Sequence, residues 1–213
     1  MHIQVRNASK IINGVTILQN IDLDLQGGSV YGLQGPNGSG KTMLMRLIAG
    51  LIRPTSGSVV IDGKTLGEEI DFPPSMGLLI ENPAFLPNYT GFQNLKLLVD
   101  IQRKTSYEEI YRSLSKVGLD PEDKRKYRKY SLGMKQRLGI AAAIMEKPDL
   151  ILLDEPTNAL DEIGTVQICK LIQAERNRGA LIILASHDST VVRSMADEIY
   201  SINEGVLQRK TPI

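Results

Sequence analysis

The 213-residue sequence has no tryptophan, a single cysteine and almost no net charge. One thiol cannot close an intrachain disulfide, so the fold must rest on buried apolar surface. Cys169 lies in TVQICKLIQ, the inward side of an expected helix, where a free thiol behaves as a small apolar group. Lys and Arg number 25 against 24 Asp and Glu, a formal charge of +1, which excludes the broad basic field of a chain built to coat nucleic acid or anionic lipid. Any such contact has to be local. Long apolar runs are also missing: none reaches the roughly 18 residues of a membrane-spanning helix. MHIQVRNASK lacks the apolar centre of a secretory leader. A cytosolic protein is expected. With 42% hydrophobic residues, the chain can bury a real core as one domain, residues 1–213.

What is present reads as α/β. HIQV, IDLDL, SVYGLQG and GSVVIDG suggest short strands separated by glycine turns, with Ile21, Leu23 and Leu25 in strict alternation. The middle of the chain is helical. Thr90 with Gln93, and Ser106 with Glu109, have capping-box spacing, and Gly118 is placed to end the second of these helices. Ser131 is placed to cap a helix running to Glu146 or Lys147. Beyond it, LILLD and LIILAS alternate with helices, the pattern of parallel strands covered on both faces. EIYSINEGVLQ reads as a hairpin turning at Asn203, Glu204 and Gly205. His2 has no setting beyond the surface.

The segment GPNGSGKT, residues 35–42, follows an expected strand and precedes TMLMRLIAGL, where Leu44, Leu47, Ile48 and Leu51 recur at helical spacing. Phosphate oxygens need several donors at once. Glycines let backbone N–H groups turn inward, and the helix N-terminus adds partial positive charge. Gly35, Pro36, Asn37, Gly38, Ser39 and Gly40 form this cradle, Lys41 reaches the β- and γ-phosphates, and the Thr42 hydroxyl is suited to Mg²⁺. ATP with Mg²⁺ is the expected ligand. DLILLDEPTNALD then supplies an apolar strand ending in two carboxylates that point in different directions. Beside a phosphate loop, Asp154 suits the metal and Glu155 suits a water-activating general base. Standing alone, LLDE fits a strand running into a polar turn. Gly133, in the first turn of the helix capped by Ser131, is small enough to admit a close ligand.

Taken together and in order, these segments resemble the ATP-binding cassette (ABC) ATPases over nearly the whole chain. The phosphate loop matches at Gly35–Thr42, the acidic strand at Asp154 and Glu155, the D-loop at Asn158–Asp161, the switch histidine at His187 in ASHD, and the family signature at YSLGM, which keeps Ser131 and Gly133. The resemblance implies a P-loop NTPase core with an antiparallel β subdomain and a helical subdomain inserted at about residues 83–130. It implies ATP hydrolysis powering transport through a separate membrane permease, at the cytoplasmic face of the cell membrane. It also implies a head-to-tail dimer, with an identical or a related subunit, in which Ser131 and Gly133 contact the γ-phosphate in trans while His187 senses it in cis. The competing class is a soluble ABC-type ATPase acting on nucleic acid or ribosomes. A regulatory subunit without hydrolysis is disfavoured by Glu155.

Two departures from the family pattern stand out. NASKIING places Ile11 or Ile12 where an adenine-stacking aromatic is common. Glu81, in GLLIENPAFLPNYT, stands where the family carries a metal-contacting glutamine, and is expected near Mg²⁺. That replacement, with YSLGMKQRLGIA, is most similar to the ATPases of bacitracin and lantibiotic resistance exporters. The run KRKYRKY, residues 124–130, fits a solvated loop, a membrane partner or, less well, nucleic acid.

Overall fold

The computed structural model describes residues 1–81 and 83–210. Two sheets organise it. The smaller is antiparallel, with β1 (His2–Ile12) between β2 (Val15–Gln26) and β4 (Ser56–Ile61), and β5 (Lys64–Thr65) at its edge. The larger runs β10-β9-β3-β8-β7-β6. Within it β9 (Glu198–Asn203), β3 (Val30–Gln34), β8 (Leu181–Ser186), β7 (Leu150–Asp154) and β6 (Met76–Leu79) are parallel neighbours, and β10 (Val206–Lys210) closes the edge antiparallel to β9.

The central strands are apolar almost throughout because both of their faces are covered. Every residue of β3, β7 and β8 is buried. Successive side chains of a strand alternate faces, and the two cores divide accordingly. Leu150 and Leu152 join the core beneath the antiparallel sheet with Leu44 and Leu47 of α1 (Lys41–Ile48). Ile151 and Leu153 join the opposite core with residues of α4 (Leu132–Ile144), α5 (Glu162–Asn177) and α6 (Ser189–Met195). Packing there is tight enough that a Cβ on Gly77 of β6 would fall 1.7 Å from the Ala143 carbonyl oxygen of α4.

Local signals are met with two exceptions. Thr90 and Gln93 form a reciprocal capping box at the start of α2 (Gly91–Gln102), Gly118 follows α3 (Tyr107–Lys116) with φ 76°, and Ser131 caps α4 by accepting from Met134 N at 3.2 Å. α4 stops two residues before Glu146. The last hairpin turns at Glu204 and Gly205, both left-handed. Ser106, however, sits at the α3 N-cap without a side-chain bond. Glu109 is drawn instead to Arg112 at 2.7 Å and Lys147 at 3.2 Å, because two cations outcompete one backbone N–H. NASKIING is the second exception. β1 does not end at Val5 but continues through bulges to Ile12, and Asn13–Gly14, with φ of 50° and 80°, makes the tight turn into β2. Asn-Gly is the sequence that such a turn requires. Cys169 is half-buried against the core, and His2 is half-buried at the surface with Nε2 at 2.7 Å from Asp24 Oδ1.

Candidate functional site

The residues from Gly35 to Gly40 link the end of β3 to the start of α1. Gly35, Gly38 and Gly40 have φ of 159°, 80° and 112°. At Gly40 the backbone is left-handed, and a Cβ would also crowd the Ile17 carbonyl at 3.1 Å, so glycine answers both constraints. Lys41 is buried, and its Nζ donates to the carbonyls of Gly35 at 2.7 Å and Pro36 at 3.0 Å. An ammonium has three donors, which leaves one for a ligand. The buried Ser39 hydroxyl has no partner among the described residues, an unmet demand of the kind a phosphate oxygen satisfies.

Across from α1, β7 delivers the two carboxylates. Asp154 is buried and accepts from the Thr42 hydroxyl at 2.6 Å. Burial pushes its carboxyl above the ordinary range, opposed by the Thr42 hydrogen bond. Glu155 breaks from the strand with φ 48°, a costly conformation for a non-glycine residue and one that structures retain at functional sites. Its backbone N–H still donates to Ala185 O at 2.8 Å. Its carboxylate is held at both oxygens: Ser186 Oγ donates to Oε2 at 2.8 Å, and His187 approaches Oε1 through its backbone N at 2.8 Å and its ring Nδ1 at 2.9 Å. Asp154 and Glu155 line one cleft with Asn37–Met43 and Ile17.

Thr42 and Asp154 supply a hydroxyl and a carboxylate side by side. A hydroxyl and one carboxylate suit a magnesium ion, which takes one or two protein oxygens and completes its shell with phosphates and water.

The other sequence-derived candidates lie elsewhere. Ser131 is exposed at the α4 N-terminus, outside the cleft. Gly133 is explained within the chain, since a Cβ there would lie 2.7 Å from the Ala159 carbonyl of the connection following β7. Glu81 pairs with Arg46 of α1 at 2.6 Å and lines a separate groove with Pro83, Phe85 and Leu98, while its charge still acts on Asp154 and helps to raise that carboxyl. Tyr127 and Tyr130 are buried, so the run 124–130 offers cations but no rings for base stacking. Sequence reasoning missed Ser186, although it directly precedes His187. It also missed Gln136, whose Nε2 donates to the Glu155 carbonyl at 2.8 Å, and Ile17, which a β-bulge between the Lys10↔Leu18 and Ile11↔Thr16 pairs leaves facing the cleft.

The family model described as "ABC transporter" matches residues 18–158. The chain belongs to the ABC transporter family. It is 48% identical over 206 residues to the ABC transporter ATP-binding protein YybJ of Bacillus subtilis (strain 168), covering 97% of this chain and 94% of that protein. It is 38% identical to the lantibiotic transport ATP-binding protein SrtF of Streptococcus pyogenes, covering 95% and 87%. Identity is also 38% to the bacitracin transport ATP-binding protein BcrA of Enterococcus faecalis, covering 99% and 69%. Among solved structures, the ATP-binding cassette MJ0796, in a dimeric post-hydrolysis state bound to ADP and Pi, superimposes with a TM-score of 0.85 at 23% identity, covering 99% of this chain and all of that one. The fold is therefore the ABC ATPase core, and the antiparallel β portion expected from sequence is the β1-β2-β4-β5 sheet. This ABC ATPase is the ATP-binding and ATP-hydrolysing subunit of a transporter. None of its helices, among the described residues, is long and apolar enough to cross a membrane.

Proposed function

We propose that this ABC ATPase powers export of an antimicrobial peptide through a separate permease at the cytoplasmic face of the cell membrane. Within the ATPase, residues 35–42 bind the phosphates, Thr42 and Asp154 hold Mg²⁺, Glu155 is the general base and His187 senses the γ-phosphate. The observation that carries the site reading is the pairing of Thr42 with Asp154 at 2.6 Å beside Glu155, whose carboxylate is fixed by Ser186 and His187. When bound, Mg²⁺ neutralises charge on the phosphates. Lys41 contributes its remaining donor, and the Glu155 carboxylate takes the proton of the attacking water. Ser131, exposed on α4 and away from its own cleft, meets the γ-phosphate of a second copy, with Gly133 beside it. Residues 83–130, carrying α2 and α3, are the helical subdomain that faces the permease. The peptide substrate is read from the likeness to the lantibiotic and bacitracin transport proteins.

The affinity-tagged chain extracted from membranes is expected to bring down a protein with multiple membrane spans, and lantibiotic or bacitracin is expected to stimulate ATPase of the reconstituted pair. Quantitative recovery without any membrane protein contradicts the permease, and unresponsive ATPase contradicts the substrate class.

Paired with Arg46 and acting on Asp154 through its charge, Glu81 is read as a nearby charge rather than a coordination bond. A unit charge and a divalent ion ~5 Å apart in water attract by about 2 kcal/mol before repulsion by the phosphates is subtracted. Glu81→Gln is therefore expected to keep folding and ATP binding and to move the Mg²⁺ concentration for half-maximal hydrolysis by no more than about threefold, a net change below about 0.7 kcal/mol. A Mg²⁺ titration at fixed ATP measures this. A shift of tenfold or more would make the carboxylate a ligand.

A further inference from the structure

Tyr127 belongs to none of the roles assigned above, yet it joins two of them. It opens a short 3-10 turn, Tyr127–Lys129, that leads through Tyr130 into Ser131. Its buried hydroxyl donates to the Pro83 carbonyl, two residues beyond Glu81. Its ring meets Phe85 edge-on, with centroids 5.5 Å apart, and the Lys135 ammonium lies 5.2 Å from the ring centroid. The backbone continues the seam, with Tyr127 N donating to Tyr89 O at 2.8 Å and Arg128 N to Pro87 O at 3.1 Å. Tyr130 adds a second anchor. Its ring packs 5.9 Å from that of Tyr127, and its hydroxyl accepts from Gly91 N at 3.1 Å, where a Cβ on Gly91 would come within 2.7 Å of the same oxygen. Burial pushes both phenols up from their ordinary range.

The segment entering α2 is thus fastened to the segment entering α4. At its other end it starts from Glu81, whose carboxylate holds Arg46 on α1, the helix that begins with Lys41 and Thr42. Contacts link the phosphate-loop helix α1 through Arg46 to Glu81, and Pro83, two positions further along the sequence, through Tyr127 to the turn that leads into Ser131. We propose that Tyr127 is a positioning residue for ATP hydrolysis: its hydrogen bond to Pro83 sets Ser131 relative to the segment that α1 grips through Glu81. The proposal rests on the reading that Ser131 meets the γ-phosphate of a second copy.

Tyr127→Phe deletes the hydroxyl and keeps the ring contacts. In the complete ATPase it is expected to lower kcat by about fivefold or more, the lower bound of a typical coupling between sites, while ATP affinity stays within about twofold because Tyr127 touches no part of the phosphate cleft. A purely structural role would lower the melting temperature and leave kcat per folded molecule at the parent value, and that result overturns the proposal. Ser131→Ala, measured alongside, separates the two ideas. Loss of kcat in Ser131→Ala with parental kcat in Tyr127→Phe overturns the role of Tyr127 and spares that of Ser131. Parental kcat in Ser131→Ala overturns both. When the two are combined, a kcat equal to that of Ser131→Ala alone supports action through Ser131, and multiplicative losses contradict it.

Discussion

Glu155→Gln is expected to bind ATP as the parent does and to hydrolyse it about 10²- to 10⁴-fold more slowly, the usual contribution of a positioned general base. Glutamine keeps one acceptor oxygen for the His187 backbone N–H and turns its amide NH2 toward the Ser186 hydroxyl, which can accept, where the carboxylate now accepts from each at 2.8 Å. The site geometry should therefore survive the substitution. What is lost is the ability to take a proton from water. The left-handed backbone at this position is fixed by the N–H bond to Ala185 and by the Gln136 contact to the carbonyl, neither of which involves the side chain. Equilibrium binding of ATP and steady-state hydrolysis separate the two effects, and equal hydrolysis by variant and parent would remove Glu155 as the base.

Lys41→Ala is expected to fail earlier, at binding. The ammonium is buried and already engaged by two loop carbonyls, so its third donor and its charge face the cleft. Charge-assisted hydrogen bonds contribute about 1.5–3 kcal/mol each, so losing the one that remains for phosphate weakens ATP by about tenfold to 150-fold. Alanine also strips the Gly35 and Pro36 carbonyls of their donor, which loosens the loop in the free protein. Titration with a fluorescent ATP analogue measures the loss. Affinity unchanged in a folded Lys41→Ala variant would mean that the backbone N–H groups and α1 hold the phosphates without it.

Most of the site was legible in the sequence because its parts are local. A glycine loop between strand and helix, a carboxylate pair at a strand end and a serine cap each announce themselves within a few residues, and all three form as expected. What the sequence hid was the pairing between distant segments. Glu81 and Arg46 are 35 residues apart and meet only because β6 and α1 flank the same groove. The carboxylate therefore finds a cation on the neighbouring helix, an interaction that no spacing rule exposes. Gly133 illustrates the reverse, for its small size is already required by the Ala159 carbonyl of its own chain. The fold was hidden where turn chemistry was passed over: Asn13–Gly14 joins two strands of 11 and 12 residues, whereas the apolar alternation alone suggested shorter ones. The tyrosines of KRKYRKY misled for a similar reason. Their charged neighbours imply a wet surface, yet the 3-10 turn carries Tyr127, and the extended residue after it Tyr130, into the core while Arg128 and Lys129 stay exposed.

The central claim is that ATP on the loop of one copy is covered by Ser131 of another, so that the hydrolytic site is complete only in a pair. Multi-angle light scattering of Glu155→Gln at tens of micromolar, with and without Mg²⁺-ATP, tests it most directly, because the variant retains the nucleotide that supplies contacts to both partners. The account predicts the mass of one chain without nucleotide, twice that mass with ATP, and one chain again when Ser131→Arg is added. A trapped variant that stays monomeric with ATP bound, or a dimer indifferent to Ser131→Arg, would contradict it.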